Sequence, residues 1–412
     1  MTIPSRGSWL AAFQNRNFRF QWPADLATGW AFEMESLILG WYVLVETESV
    51  LLLTLFGALQ HLGTLIAPLF GVAGDRIGHR NVLCLMRATY ALLAGTLMAL
   101  ALTDTLRPLY VLLITAAMGL IRPSDMAMRN SIIGETIPPH QLMAAMSMSR
   151  TTNDSARIAG ALAGAGLVAL LGIGPAYVGI TLFYGISLLL TLQIQASGRS
   201  FERRASPWRD LREGVVYAWS TSHLRATLAL ALLVNVTAYP ITGSLLAYVV
   251  RDIYETGQTG LGYLVASYSV GAVAGSLLLG MTGGLLRPAR MMLAYSVAWH
   301  AALLVFAFTQ TLGGGIVMLC IAGFVQSLCM VPMAVMLLRT SDPRFRGRLM
   351  GVRMMAVYGS PVGLLVAGPI IEAYGFVPMA TSYCLLGIGV TLLIGWHWRR
   401  LLWDKDAPAN AR

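Results

Sequence analysis

Twelve long apolar runs follow one another along this 412-residue chain, and little else separates them. They lie near 20–45, 50–72, 81–103, 108–130, 142–171 and 174–195, then near 226–250, 260–285, 290–310, 313–338, 349–371 and 375–397. A helix needs about 20 apolar residues to cross a bilayer core, and each run supplies them. Only 12% of the residues are charged, against roughly 25% in a soluble domain. A closed β-barrel is excluded, because its strands are about 10 residues of alternating pattern. These runs are continuous and stop at turns such as Asp104-Thr105-Leu106-Arg107-Pro108. The sequence therefore specifies an all-α membrane protein with 12 transmembrane helices.

The net charge of +10 is a topology signal and not a footprint for nucleic acid. Arginines crowd alternate loops: Arg6, Arg16 and Arg19 before span 1, Arg76 and Arg80 after span 2, Arg199 to Arg212 after span 6, and Arg399 and Arg400 after span 12. Basic residues mark the cytoplasmic side, so both termini are expected there. The first sixteen residues lack an apolar core with a small-residue cleavage site, so span 1 is expected to stay in the mature protein. The four cysteines, Cys84, Cys320, Cys329 and Cys384, fall inside apolar spans and read as free thiols. The six histidines show no metal-ligand spacing. Neither metal nor cofactor is expected.

One polar stretch, 196–223, divides the chain into two six-span bundles, 1–195 and 224–412. Within it Trp208-Arg-Asp-Leu-Arg-Glu-Gly is amphipathic enough to lie on a membrane surface, or simply to link the bundles. The halves echo each other: Pro139 is followed 25 residues later by Gly164, and Pro343 by Gly368 at the same interval. A parallel repeat of this kind is one of the architectures of secondary transporters.

Between spans 2 and 3, residues 71–80 read Gly-Val-Ala-Gly-Asp-Arg-Ile-Gly-His-Arg. This resembles the signature G-x-x-x-D-R-x-G-R-[RK] of major facilitator superfamily transporters, matching at Gly71, Asp75, Arg76, Gly78 and Arg80, with His79 in place of the usual Arg or Lys. Gly71 and Gly74 are small enough for close helix approach. The resemblance implies an alternating-access carrier, in which Asp75 caps span 11 and Arg76 and Arg80 complete a gating relay. In span 5, Gly160 and Gly164 resemble the glycine-rich motif of exporters in the superfamily, with Ala161 where that motif has proline. Gly363, Gly368 and Pro369 in span 11 form its partner as a packing hinge. Further stretches (Arg344 to Gly351, and Met34 and Gly40-Trp41 ahead of Glu46 to Ser49) resemble the branch of enterobactin-type siderophore exporters and related drug-efflux proteins. The arginine that many proton antiporters carry in span 4 before a Gln-Gly pair is replaced here by Thr115.

Ionisable groups at membrane depth cost roughly 2.5–3.5 kcal/mol each and mark function by default. Span 1 holds Asp25, Glu33 and Glu35. Glu33 and Glu35 point about 200° apart on a helix, so one of them faces the cavity. Glu35 is the first choice for loading and releasing a proton, with Glu33 and Asp25 as the other candidates and a permanent pairing with arginine as the alternative. Arg122, Asp125 and Arg129 in span 4, and Arg150, Asp154 and Arg157 in span 5, each share one helix face. Arg129 and Arg150 read as structural, and Arg122, Asp125, Asp154 and Arg157 are cavity candidates, Arg122 and Arg157 for an anionic ligand or for Glu35. Gln60, His61, Asn235, Tyr239 and Gln326 are polar candidates for substrate contact. Arg87 reads as a packing or interfacial residue, and His300 as facing structure or headgroups.

These residues lead to a secondary transporter exporting a small metabolite, such as a siderophore, against protons. The implied setting is a bacterial inner membrane and a monomer. A multidrug efflux pump is the alternative, followed by an importer or a sensor of the same fold. An enzyme is not expected: the chain has no zinc-protease motif, nucleophile elbow or P-loop.

Overall fold

The computed structural model describes residues 13–64, 66–195, 207–282, 287–341, 352–353 and 355–404. Among the described residues every regular element is a helix. In chain order these are α1 Arg16–Thr47, α2 Val50–Leu59, α3 Ala67–Ile77, α4 His79–Leu102, α5 Pro108–Thr136, α6 Pro139–Leu171, α7 Ile173–Leu192 and α8 Pro207–Ser220. They continue with α9 Ser222–Thr237, α10 Tyr239–Thr242, α11 Leu246–Tyr248, α12 Gln258–Thr282, α13 Pro288–Ala307, α14 Leu312–Thr340, α15 Gly359–Tyr374, α16 Phe376–His397 and α17 Arg399–Asp404. Eight helical segments of the described residues are long and apolar enough to cross a membrane, and three shorter apolar ones lie at Val50–Thr64, Ser155–Leu171 and Leu224–Thr237. With the 32-residue α1, they account for the twelve spans.

Proline and glycine set many of the boundaries. Proline opens α5, α6 and α13, where its missing N–H costs nothing. Three links are a single glycine long: Gly78 between α3 and α4, Gly172 between α6 and α7, and Gly375 between α15 and α16. Their φ angles are +91°, +81° and +84°, a region that disfavours any side chain. The last two join spans 5 to 6 and 11 to 12, extending the echo between the halves.

Two spans that hydropathy draws as continuous are broken. Span 2 is α2, a 3₁₀ turn at Leu62–Thr64, and then α3. Span 7 is α9, α10 and α11, followed by a π turn at Val249–Ile253. Pro240 and Gly243 lie at the second break. The π turn carries Arg251, whose Nη1 donates to the Leu44 carbonyl at 2.5 Å.

The chain packs into two compact units: residues 1–42 with 60–207, and residues 43–59 with 208–412. In the first, α6 lies against α1 through small residues. A Cβ on Gly164 would sit 3.0 Å from the Met34 Cα, and one on Gly160 would sit 2.8 Å from the Glu33 Cβ. In the second, α15 packs along α2 and α9. There Gly363 abuts the Val236 carbonyl, and Gly368 abuts Thr54 and Leu51. Pro369 lies inside α15. Helix α8 buries Ala218 against Leu224 and Leu337 and leaves Val216 and Trp219 exposed. The stretches 196–206 and 342–351, which carry part of the central loop and part of the exporter-like text, lie outside the described residues.

Close backbone approach through small residues is what drives helix association in lipid. Gly164→Val should therefore lower the thermal midpoint of the purified protein by the equivalent of about 1–3 kcal/mol of overpacking. Gly166→Val, two residues on and with no atom within 4 Å of its Cβ position, should leave it unchanged. Fluorescence-detected size exclusion after heating measures both.

Candidate functional site

The first unit buries four charges together. Asp25 of α1 accepts from Arg87 Nη2 of α4, and Asp125 of α5 pairs with Arg129 one turn later. Arg129 Nε also lies 3.7 Å from Asp25, closing the four into one group. Arg87 is fully buried and donates a second bond to the Thr191 hydroxyl of α7. Gln21 Nε2 donates to the Arg129 carbonyl at 2.9 Å. Two acids and two arginines cancel, which removes the worst of the cost of burying them. Arg87 is thus no interfacial or merely packing side chain, as its peripheral span suggested. The signal for it was available: a lone arginine inside an apolar helix requires an acid, and span 1 holds three.

Glu35 stands apart from that group. It is 5% exposed, and its Oε2 accepts from the Tyr184 hydroxyl of α7 at 2.8 Å. Its Oε1 is buried without a hydrogen bond among the described residues. The Tyr177 hydroxyl, also of α7, lies within hydrogen-bonding reach of the same carboxylate, and Arg122 acts on it electrostatically. Glu33, two residues earlier, is half-buried on the α6 side against Gly160. The two carboxylates therefore face different neighbours, as their angular separation requires.

Arg122 is held by three groups. Its Nη1 donates to Gln60 Oε1 at 2.8 Å and to Ser36 Oγ at 3.0 Å. Ser36 itself donates to Gln60 at 2.7 Å. The guanidinium carbon lies 4.3 Å from the centre of the Phe32 ring. The break in span 2 makes this possible. Gly63 in the 3₁₀ turn abuts the carbonyls of Gly119 and Leu120, and a side chain there would push the turn off α5. Pro123 lies inside α5 and lacks the N–H that would bond the Gly119 carbonyl. His61, just before that turn, is half-buried.

The remaining candidates are dispersed. Arg157 is half-buried, and the side chain of Asp154 lies outside the described structure. In the second unit, Asn235 is buried and donates to the Ala231 carbonyl at 2.8 Å. Gln326 Nε2 donates to the Tyr239 hydroxyl at 3.1 Å, and the Tyr239 ring meets Trp299 edge-on at 5.4 Å. His300 is fully buried, between the Thr237 hydroxyl and the Ser296 carbonyl, each at 2.8 Å.

In the motif at 71–80, the substituted position carries the contact. His79 Nδ1 lies 2.5 Å from Glu135 Oε1 at the end of α5, and its ring covers Gly74. Arg80 Nη2 donates to the Leu192 carbonyl at the end of α7, at 2.6 Å; a cation there meets the negative helix end. Arg76 is exposed. Among the described residues no atom lies within 4 Å of the Cβ position of Gly71, whereas Gly74 is covered by the His79 ring. The side chain of Asp75 lies outside the described structure.

A twelve-span helical protein of two units, with a buried carboxylate and a half-buried, half-held arginine in one of them, has the form of a major facilitator-type transporter. The chain belongs to the transmembrane secretion effector family, whose model matches residues 7–408. It is a multi-pass membrane transporter of a small-molecule-carrying family. Several solved structures share the fold. The nucleoside transporter NupG aligns with a TM-score of 0.72 at 14% identity, covering 93% of this chain and 98% of that one. A bacterial homolog of the human lysosomal transporter Spinster, inward-facing and unoccupied, aligns with 0.74 at 13%, covering 96% and 99%. A D-xylose–proton symporter aligns with 0.70 at 12%, covering 94% and 97%. No curated protein is significantly similar to the chain in sequence.

Removing one member of a buried ion pair costs about 3–5 kcal/mol, because the other charge is stranded. Arg87→Gln should lower the thermal midpoint sharply. Adding Asp25→Asn should recover part of the loss. Unfolding followed by tryptophan fluorescence gives the cycle, and a double variant worse than Arg87→Gln alone would remove the pairing from the account.

Proposed function

We propose that the chain is a proton-coupled secondary exporter of a small metabolite, such as a siderophore. It works by alternating access in a bacterial inner membrane with both termini in the cytoplasm. The moving bodies are the two six-span bundles, 1–195 and 224–412, joined by the loop at 196–223. The observation that carries the coupling is Glu35. A carboxylate in span 1 faced by the neutral hydroxyls of Tyr184 and Tyr177 can exist with or without a proton, because no ion pair among the described residues answers its charge. Burial makes the ionised form expensive, and access to water on either side would let the proton come and go. The Asp25 group, closed on itself by Arg87 and Arg129, is the less suited of the acids.

Outward direction is supported by the family's description as a secretion effector and by the exporter-like glycines Gly160 and Gly164. Siderophore cargo rests on the branch resemblance through Met34, Gly40 and Trp41. Proton coupling within this fold has a parallel in the D-xylose–proton symporter. The motif at 71–80 serves as the cytoplasmic gate, with Asp75, Arg76 and Arg80 as the gating charges that the resemblance implies.

Comparing secreted and retained small molecules in cells with and without this chain, under iron limitation, tests the cargo. A chelator should leave the medium and build up inside when the chain is absent. Unchanged native molecules with new sensitivity to toxic compounds would replace this reading with multidrug efflux. For the coupling, Glu35→Gln should abolish export driven by a proton gradient in inverted vesicles while membrane insertion stays normal. Glu33→Gln should retain most of it. Full activity in Glu35→Gln would remove that residue from the mechanism.

A further inference from the structure

We infer that Arg122 is the docking point for an ionised carboxylate, or an equivalent planar oxyanion, on the transported molecule. This deepens the proposed exporter reading and rests on it for the word transported. The inference comes from which parts of the guanidinium are occupied. Nη1 is committed to Ser36 and Gln60, and one face is stacked toward Phe32. Nε and Nη2 donate no hydrogen bond among the described residues, and Arg122 forms no ion pair there. Those two nitrogens make up the side-on fork that matches a carboxylate in two parallel bonds. The side chain is half-buried, so the unused fork is neither sealed in the core nor spread into bulk water.

The acids around it do not fill the fork. Asp125, one turn on, is held by Arg129, and Asp25 by Arg87. Glu35 acts on Arg122 at a distance and turns one oxygen to Tyr184. The anchors also fix the plane of the guanidinium. Gln60 and Ser36 bond each other as well as Nη1, and Phe32 is itself buttressed edge-on by Tyr90 and Tyr184 at 5.0 and 5.7 Å. A fork held in this way loses little freedom when a ligand arrives. A neutral polar ligand would leave its charge unanswered, so the site selects for an anion.

The test uses purified full-length protein and two aryl carboxylates, benzoate and 1-naphthoate, each set against its amide. At least one carboxylate should bind and raise the thermal midpoint while its amide does not. Hydrogen bonds to a charged group are worth about 1.5–3 kcal/mol, so Arg122→Gln should weaken binding by about tenfold or more. Arg122→Lys should fall between, since an ammonium keeps the charge but not the fork. Ser36→Ala, which loosens the anchor and leaves the guanidinium, should weaken binding less than Arg122→Gln. Size-exclusion profiles establish that each variant is folded. Equal binding of acid and amide, carboxylate binding unchanged in Arg122→Gln, or no binding of either acid would overturn the inference. Proton-driven transport in the same preparations separates the two readings. Loss in Glu35→Gln with carboxylate binding indifferent to Arg122 leaves the exporter and removes the fork. Carboxylate binding on Arg122 with full coupling in Glu35→Gln does the reverse.

Discussion

Charge taken into a bilayer core must find its neutralisation inside the protein, since neither water nor ions are there to provide it. The first unit is organised by that requirement. Asp25, Arg87, Asp125 and Arg129 come from three helices and meet at one point, with Thr191 drawing in a fourth. Such a group acts over a few ångströms and fixes the rotation of each helix about its own axis, which apolar packing alone does loosely. Once those rotations are set, Glu35 faces α7, Glu33 faces α6, and Ser36 and Phe32 present themselves to Arg122. Glu35 and Arg122 stand beside that group without an ion pair of their own among the described residues.

Much of the architecture could be read directly from the chain. Lipid demands long apolar helices, so hydropathy locates spans well, and Pro108 and Pro139 open helices where their chemistry says they should. The breaks in spans 2 and 7 were not visible in the same way. Both interrupt stretches that stay apolar when averaged over a whole span, with only a brief polar dip at Gln60-His61 and at Asn235 to Pro240. Gln60 with Gly63, and Pro240 with Gly243, were the available marks, but each is also common in unbroken membrane helices.

The site was legible in part, for a related reason. Spacing along one helix gave the divergence of Glu33 and Glu35 correctly, since that is a property of a single element. It gave Asp125 and Arg129 a shared face, which they use to pair. Partners on other helices were beyond it: Tyr184 for Glu35, Asp25 for Arg87, and Gln60 for Arg122 depend on how four or five elements meet. The motif at 71–80 was read as a pattern of types, and the structure makes its exceptional member, His79, the one that reaches Glu135.

The single-glycine links at Gly172 and Gly375 bear on mechanics as well as on topology. A loop of several residues works like a hinge with slack, letting one helix turn while its neighbour stays. One residue has two soft dihedral angles and no spare length. The facing ends of spans 5 and 6, and likewise of 11 and 12, are therefore tethered within a few ångströms of each other. Each pair can pivot about its glycine but cannot draw apart at that end, so the end of α6 that follows the glycines facing α1 stays next to the start of the helix that carries Tyr184.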